Sequence, residues 1–255
     1  MMKKFLSYAI PSALAMFISS LYTVIDGIFV GQGVGDLALA AVNVVIPLTI
    51  MLFGMATMFA VGGGALISKN FGSGNIQNAN VMFRQVFKFL LILSLFISII
   101  CFLFTGPIVK GLGATPDLYE SAKIYLRFYS IFCIPNIIGI ALNSFIRNDG
   151  NPKLAMIATI SGAITNIVLD YLFIFPLQLG LFGAALATGL GQLVTVSILL
   201  IHFICRQGQL RFGNVKLDFK IIKEFSNIGF PSFFAEAAFS VIIYLTNLAL
   251  ITTVG

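Results

Sequence analysis

Three acidic residues, Asp26, Asp170 and Glu236, lie inside long apolar stretches of the sequence. A charged group at the centre of a membrane-spanning helix costs about 2.5–3.5 kcal/mol on insertion scales, so such residues face a protein interior or an aqueous cavity and serve a purpose. Asn166 precedes Asp170 by four residues, which places both side chains on one face of a helix. These residue types predict a site for a cation.

Counting from the ends of the apolar stretches places Asp26, Asp170, Thr188 and Tyr125 at one depth, about 8–10 Å below the outer edge, with Asn166 one turn deeper. We expect them to form one site in the outer half of the membrane. Their oxygens suit Na⁺, because hard cations take oxygen ligands, or H⁺, because burial and like-charge repulsion favour a protonated carboxyl. The spacing leaves both ions open, and also a purely structural role in which an acid bonds a neighbouring helix.

Glu236 and three prolines stand apart from this group. Glu236 lies about seven residues from the inner end of the predicted seventh helix and therefore in the opposite leaflet. It is either a second cation-binding carboxylate or a side chain that reaches to the interface. Pro11, Pro47 and Pro135 lie within predicted spans, where proline removes a backbone hydrogen bond and favours a kink. Two interpretations of these kinks stay open: they let a cavity change shape, or they are static bends.

Membrane helices must position these residues. Of the 255 residues, 59% are hydrophobic and 9% are charged, against roughly 25% charged residues in an ordinary soluble domain. Apolar stretches long enough to cross a membrane occupy residues 5–30, 37–67, 86–109, 120–146, 154–175, 181–205 and 229–254. We predict an all-α polytopic membrane protein with seven helices.

The basic residues are divided unequally between the two sides of these helices. With the N terminus inside, twelve of the 15 Lys and Arg residues, including Lys3 and Lys4, lie inside, and Lys110, Lys123 and Arg127 lie outside. This asymmetry predicts a multi-pass protein of the inner (cytoplasmic) membrane with a cytoplasmic N terminus. The net charge of +6 comes in short clusters between the spans and does not indicate nucleic-acid binding.

A weak internal repeat suggests the domain organisation. A shift of 220 residues aligns Pro11 with Pro231, so the seventh helix resembles the first, although biased composition alone could produce such a match. We predict a six-helix lobe (1–205), a cytoplasmic linker with an interfacial helix (206–228), and the first helix of a truncated second lobe (229–255).

Two features that resemble motifs of soluble enzymes lack the sequence context that those motifs need. The glycines at 31, 33 and 35 lie between two spans rather than after a strand, so they do not form a dinucleotide loop. His202 is the only histidine and has no second ligand at zinc-binding spacing. We expect no enzyme activity, no cofactor besides H⁺ or Na⁺ as coupling ion, and energy from an ion gradient or another subunit.

Six short motifs follow one another along essentially the whole chain: 10–11 with 26–31, 39–43 with Pro47, 67–72, 146–153, 166–170 and 183–188. Together they resemble the MATE (multidrug and toxic compound extrusion) family of secondary transporters. The resemblance implies a twelve-helix transporter of two six-helix lobes. It also implies alternating access, with export of small cationic or amphipathic substrates across the membrane in exchange for H⁺ or Na⁺.

The resemblance assigns roles to particular residues. It implies that five of them form the cation site of the first lobe: Asp26, Asn166, Asp170, Thr188 and the lining Tyr125. Pro11 matches a first-helix proline linked to bending when that site is protonated. Glu236 falls where some members carry an acid used in the other lobe.

The implied mechanism is antiport. An entering H⁺ or Na⁺ binds Asp26 and Asp170, changes helix packing near Pro11, and displaces a cationic substrate from a Phe- and Met-rich cavity. A lipid or lipid-linked oligosaccharide flippase of the same superfamily is the main alternative and predicts more basic residues facing the cavity. A channel and a non-transporting membrane partner are further alternatives. Expected partners are membrane lipid, the substrates and the missing second lobe.

Overall fold

A computed structural model describes the backbone of residues 2–254 and the side chains of residue 6 and residues 9–250. Lys3 and Lys4, which enter the charge count, lie outside the described side chains. The described part of the chain forms α-helices without strands: α1 (Met2–Gly33), α2 (Asp36–Gly72), α3 (Ile76–Leu103), α4 (Thr105–Gly111), α5 (Pro116–Ile131), α6 (Cys133–Asn148), α7 (Pro152–Ile174), α8 (Gly180–Ile204) and α9 (Phe219–Val254). The prediction of an all-α fold is confirmed.

Six of these helices (α1, α2, α3, α7, α8 and α9) are long and apolar enough to cross a membrane. The bent pair α5 and α6 gives a seventh span if it is counted as one. The third predicted helix begins ten residues too late, because the first turns of α3 are polar and carry no hydropathy signal. Asn75 starts this helix by accepting a hydrogen bond from the backbone N–H of Asn78 at 3.0 Å.

The bend between α5 and α6 is 53° and lies at Phe132. Pro135 explains it, because proline has no N–H to donate to the carbonyl of Ile131, the last residue of α5. Helical bonding resumes when the N–H of Asn136 donates to the carbonyl of Phe132 at 3.1 Å. By contrast, α1 and α2 continue unbroken through Pro11 and Pro47.

Helix α9 runs antiparallel along α2. Pro47 leaves the Asn43 carbonyl without its helical donor, and Asn247 Nδ2 donates to that carbonyl at 2.8 Å. Ser240 Oγ donates to the Pro47 carbonyl at 2.7 Å. Nearer the start of α9, Gly54 of α2 lies so close to α9 that a Cβ on this glycine would be 2.7 Å from a side-chain atom of α9. The two helices therefore pack along most of their lengths.

The segment 207–218, which we call the strap, has no helix, and α9 begins at Phe219 rather than at 229. The interfacial helix predicted within 206–228 is absent as a separate element, because α3 side chains satisfy the strap backbone. Gln85 donates to the Lys216 carbonyl at 2.8 Å and accepts from the Asp218 N–H at 3.1 Å. Asn80 makes a similar pair of bonds to residues 209 and 211.

The main core lies beneath the strap. The Phe83 ring stacks on Phe203 with centroids 5.2 Å apart and meets the edge of Phe145 at 5.7 Å. Phe225, near the start of α9, is fully buried in the same cluster. The first turns of α9 are thus part of the core formed by the preceding spans.

Candidate functional site

Two carboxyl groups from different helices meet in the interior. Asp26 on α1 and Asp170 on α7 face one another at interacting distance. Asp170 is fully buried and Asp26 is half-buried. Asp26 Oδ1 and both carboxyl oxygens of Asp170 are buried without a hydrogen-bond partner among the described residues. Because two buried carboxylates repel one another and lack solvation, the pair favours a bound proton or a metal cation.

Aromatic contacts align the two helices that carry the acids. Phe29, one turn after Asp26, meets Phe175 edge-on with ring centroids 5.7 Å apart and lies 6.4 Å from the ring of Tyr171. Gly33 lies against Ile174 with no space for a Cβ between them. These contacts fix the register in which Asp26 faces Asp170.

Asn166 and Thr188 lie beside the acids. Asn166, 3% exposed, donates from Nδ2 to Thr188 Oγ1 at 3.4 Å and interacts with Asp170 on its own helix. Its Oδ1 is buried without a partner in the described structure. Helices α7 and α8 come this close because Gly191 has no side chain, and a Cβ there would lie 3.1 Å from Asn166 Cβ.

Two tyrosines complete the surroundings of the pair. Tyr125 on α5 interacts electrostatically with Asp26 and Asp170. Tyr22 on α1 interacts with the same two acids, and it is not among the predicted site residues. The available signal was its spacing, since Tyr22 precedes Asp26 by one helical turn and shares its face. All five residues predicted to form the cluster are therefore neighbours in the structure.

Pro11 and Glu236 lie elsewhere. Pro11 is buried within α1, about four turns from Asp26. Glu236 is half-buried at the middle of α9, against Gly54 at the middle of α2. The predicted distance of Glu236 from the start of its helix is too short, because α9 begins ten residues earlier than the hydropathy indicated. Within the described residues no third Asp, Glu, His or Cys joins the pair.

The oxygens at the site fit either H⁺ or Na⁺. Four buried oxygens without partners in the described structure converge here, from Asp26, Asn166 and both sides of the Asp170 carboxyl. Na⁺ is a hard cation that would take these oxygens together with the Thr188 hydroxyl. A proton would need only the two carboxyl groups.

A cavity of about 460 Å³ lies next to the pair, between α1, α6, α7 and α8. Amide and hydroxyl side chains form much of its wall, including Asn136, Asn143, Asn166, Thr188, Gln192 and Thr195. Met16 and Phe53 are the only Met and Phe that line it, and Arg147 is its only charged residue within the described structure. This cavity is therefore not rich in Phe and Met, and the Phe- and Met-rich substrate cavity stays a prediction.

Comparison with known families decides the affiliation of the chain. The MatE family model matches residues 11–172, which is more than half of the sequence. The chain belongs to the MatE family. This confirms the resemblance based on the six motifs.

MatE relatives extend the comparison to whole proteins. The multidrug export protein MepA of Staphylococcus haemolyticus is 26% identical over 252 residues, covering 98% of this chain and 56% of that protein. A solved structure described as that of the MATE multidrug transporter DinF-BH is 31% identical, with a TM-score of 0.92. It too is matched over 98% of this chain and 56% of its own.

A third relative is a MOP superfamily transporter from Pyrococcus furiosus. It is 27% identical with a TM-score of 0.87, and the match covers 98% of this chain and 56% of that one. Its structure is described as having a binding pocket of reverse polarity that suggests a different function. The chain thus spans about half the length of the relatives it matches and has the fold of one half of a MATE transporter.

Proposed function

We propose that this chain forms the first lobe, and the first helix of the second lobe, of an ion-coupled exporter of organic cations. The observation that carries the proposal is the buried Asp26–Asp170 pair between α1 and α7. Such a pair is costly in a membrane unless a cation neutralises it, and a reversible cation site is what a gradient-driven transporter needs. Membership of the MatE family supports export rather than catalysis.

Three residues connect the acid pair to the cavity and supply the coupling. Tyr22, Asn166 and Thr188 all line the cavity. Tyr22 and Asn166 lie beside the two acids, and Thr188 accepts a hydrogen bond from Asn166. An entering H⁺ or Na⁺ that binds Asp26 and Asp170 removes their repulsion and changes the α1–α7 contact. The cavity wall then moves and the substrate is displaced, with α1 shifting near Pro11. Coupling of this kind is reciprocal, so substrate binding also weakens ion binding.

The second lobe covers the free face of α9 in this proposal. Large apolar side chains are exposed along that helix: Phe230, Phe234, Phe239, Ile242 and Leu245. The chain also spans only 56% of the Staphylococcus haemolyticus relative. The excess of basic residues on the strap side supports a cytoplasmic N terminus in the cytoplasmic membrane.

Dye flux in proteoliposomes tests the proposal. The complete two-lobe protein is exposed to a cationic dye under an imposed pH gradient and, separately, under a Na⁺ gradient. We expect one gradient to drive flux and Asp26→Asn to abolish it. Asp36→Asn removes an exposed acid from the start of α2 and is the matched control, which retains flux. Full activity of Asp26→Asn would contradict the assignment of the coupling site.

A lipid flippase is the second candidate function, and Arg147 favours it. A flippase was expected to have basic residues facing its cavity, and Arg147 is the one charged residue that lines it in the described structure. Transbilayer movement of a fluorescent anionic lipid by the same proteoliposomes, without dye flux under either gradient, would support this alternative.

A further inference from the structure

We propose that Arg147 binds the anionic group, a carboxylate or a phosphate, of an amphiphilic ligand that occupies the cavity. This inference rests on the proposed function, because it specifies the chemical class of ligand that the same cavity accepts. It adds an anion-binding residue to the expectation of cationic or amphipathic substrates.

The position of Arg147 directs its guanidinium toward the cavity. Arg147 lies in the last turn of α6, is half-buried, and lines the cavity wall. Its Nη1 donates to Ser12 Oγ on α1 at 3.2 Å, and this is the only hydrogen bond of its side chain to the described residues. A guanidinium carries five N–H donors, so most of its donor capacity remains available to a ligand.

No acidic side chain neutralises Arg147. All nine Asp and Glu residues of the sequence lie in the described part of the chain. Ion pairs there involve only Glu120 with Lys123 and Asp149 with His202. The described lining of the cavity contains no acid either. An unpaired, partly desolvated guanidinium favours an anion, and its planar fork matches a carboxylate or phosphate.

The remaining wall suits a ligand with two polar ends. On α6 the lining residues run from Asn136 to Arg147, a rise of about 16 Å at 1.5 Å per residue. Amide and hydroxyl groups line the cavity between Arg147 and the acid pair, and Asn166 and Thr188 lie next to that pair. A zwitterionic compound would place its anionic group at Arg147 and its cationic group toward the acids, whereas an anionic lipid would use Arg147 alone.

A matched pair of dyes provides the test. Rhodamine 110 carries a free carboxylate, and rhodamine 123 is its methyl ester. We expect Arg147→Gln to weaken transport and binding of rhodamine 110 about tenfold, as for loss of a charge-assisted hydrogen bond, and to change those of rhodamine 123 less than about twofold. Arg147→Lys keeps the charge and is expected to retain part of the preference. Ser12→Ala removes only the bond to α1 and is expected to leave the ratio unchanged.

The outcomes separate this inference from the proposed function. Rhodamine 123 flux reports the exporter itself, and it also shows that the Arg147→Gln protein is folded. If neither dye is transported, fluorescence anisotropy of rhodamine 110 with the purified protein still measures the site. A loss confined to transbilayer movement of fluorescent phosphatidylglycerol would assign the anion to a lipid headgroup. Equal effects of Arg147→Gln on both dyes, or no effect on rhodamine 110 and on the lipid, would overturn the inference.

Discussion

At the scale of single residues, the site consists of two carboxyl groups surrounded by the polar side chains of neighbouring helices. Asp26 and Asp170 have carboxyl oxygens that no described donor satisfies. Tyr22 and Tyr125 interact with both acids from two different helices. The two phenol groups, together with the Asn166 amide, are therefore uncharged polar groups that can respond when the carboxyl groups gain or lose a cation.

Tyr22 gives a prediction at this scale. Tyr22→Phe keeps the ring against the cavity and removes the hydroxyl near the acids. We expect the ion concentration for half-maximal dye flux to rise about three- to tenfold, because one hydrogen-bonding group near a charged site is lost. Tyr244→Phe on α9 removes a hydroxyl that bonds the Gly111 carbonyl instead, and serves as the control. An unchanged ion dependence in Tyr22→Phe would exclude Tyr22 from the coupling site.

The sequence could predict the acids but not all of their surroundings. Asp26 and Asp170 are identifiable because a carboxylate in an apolar stretch is costly wherever the helix packs. Arg147 belongs to the basic residues predicted on the inner side and to the motif 146–153, but the sequence does not predict its orientation toward the cavity. That orientation depends on how α6 bends and packs against α1. A one-dimensional pattern carries no information about that contact.

At the scale of the elements, apolar length was sufficient to predict the spans, whereas the starts of α3 and α9 depended on contacts between them. The first turns of α3 are polar because their side chains bond the strap. The first turns of α9 are helical because residues such as Phe225 pack in the core. Neither interaction is visible in a hydropathy profile, and each shifted a predicted boundary by about ten residues.

The strap gives a prediction at this scale. Gln85, 3% exposed, bonds one strap carbonyl and one strap N–H. Gln85→Ala leaves both without a partner, and we expect it to lower the free energy of unfolding by about 2–4 kcal/mol. Denaturant unfolding in detergent measures this. Gln77→Ala on the same helix removes an exposed side chain and is expected to have little effect. Equal stability of the two variants would show that these bonds do not hold the strap.

At the scale of the whole molecule, we propose that the chain comprises one lobe and the helix that begins the next. Asn247 and Ser240 on α9 bond the backbone of α2 around Pro47, so this helix is tied to the first lobe along its length. Its opposite face carries exposed Phe, Ile and Leu side chains. We expect that face to contact the second lobe, so that a change in α1 and α2 reaches the other half of the transporter through α9.

Release of the coupling ion by substrate most directly tests whether the Asp26–Asp170 pair binds that ion. The purified two-lobe protein is loaded with the ion that drives flux, a cationic dye is added, and freed H⁺ or Na⁺ is measured with a pH indicator or with ²²Na⁺. We expect release by the wild-type protein and by Asp36→Asn, and none by Asp170→Asn. Undiminished release by Asp170→Asn would contradict the claim that the buried acid pair binds the coupling ion.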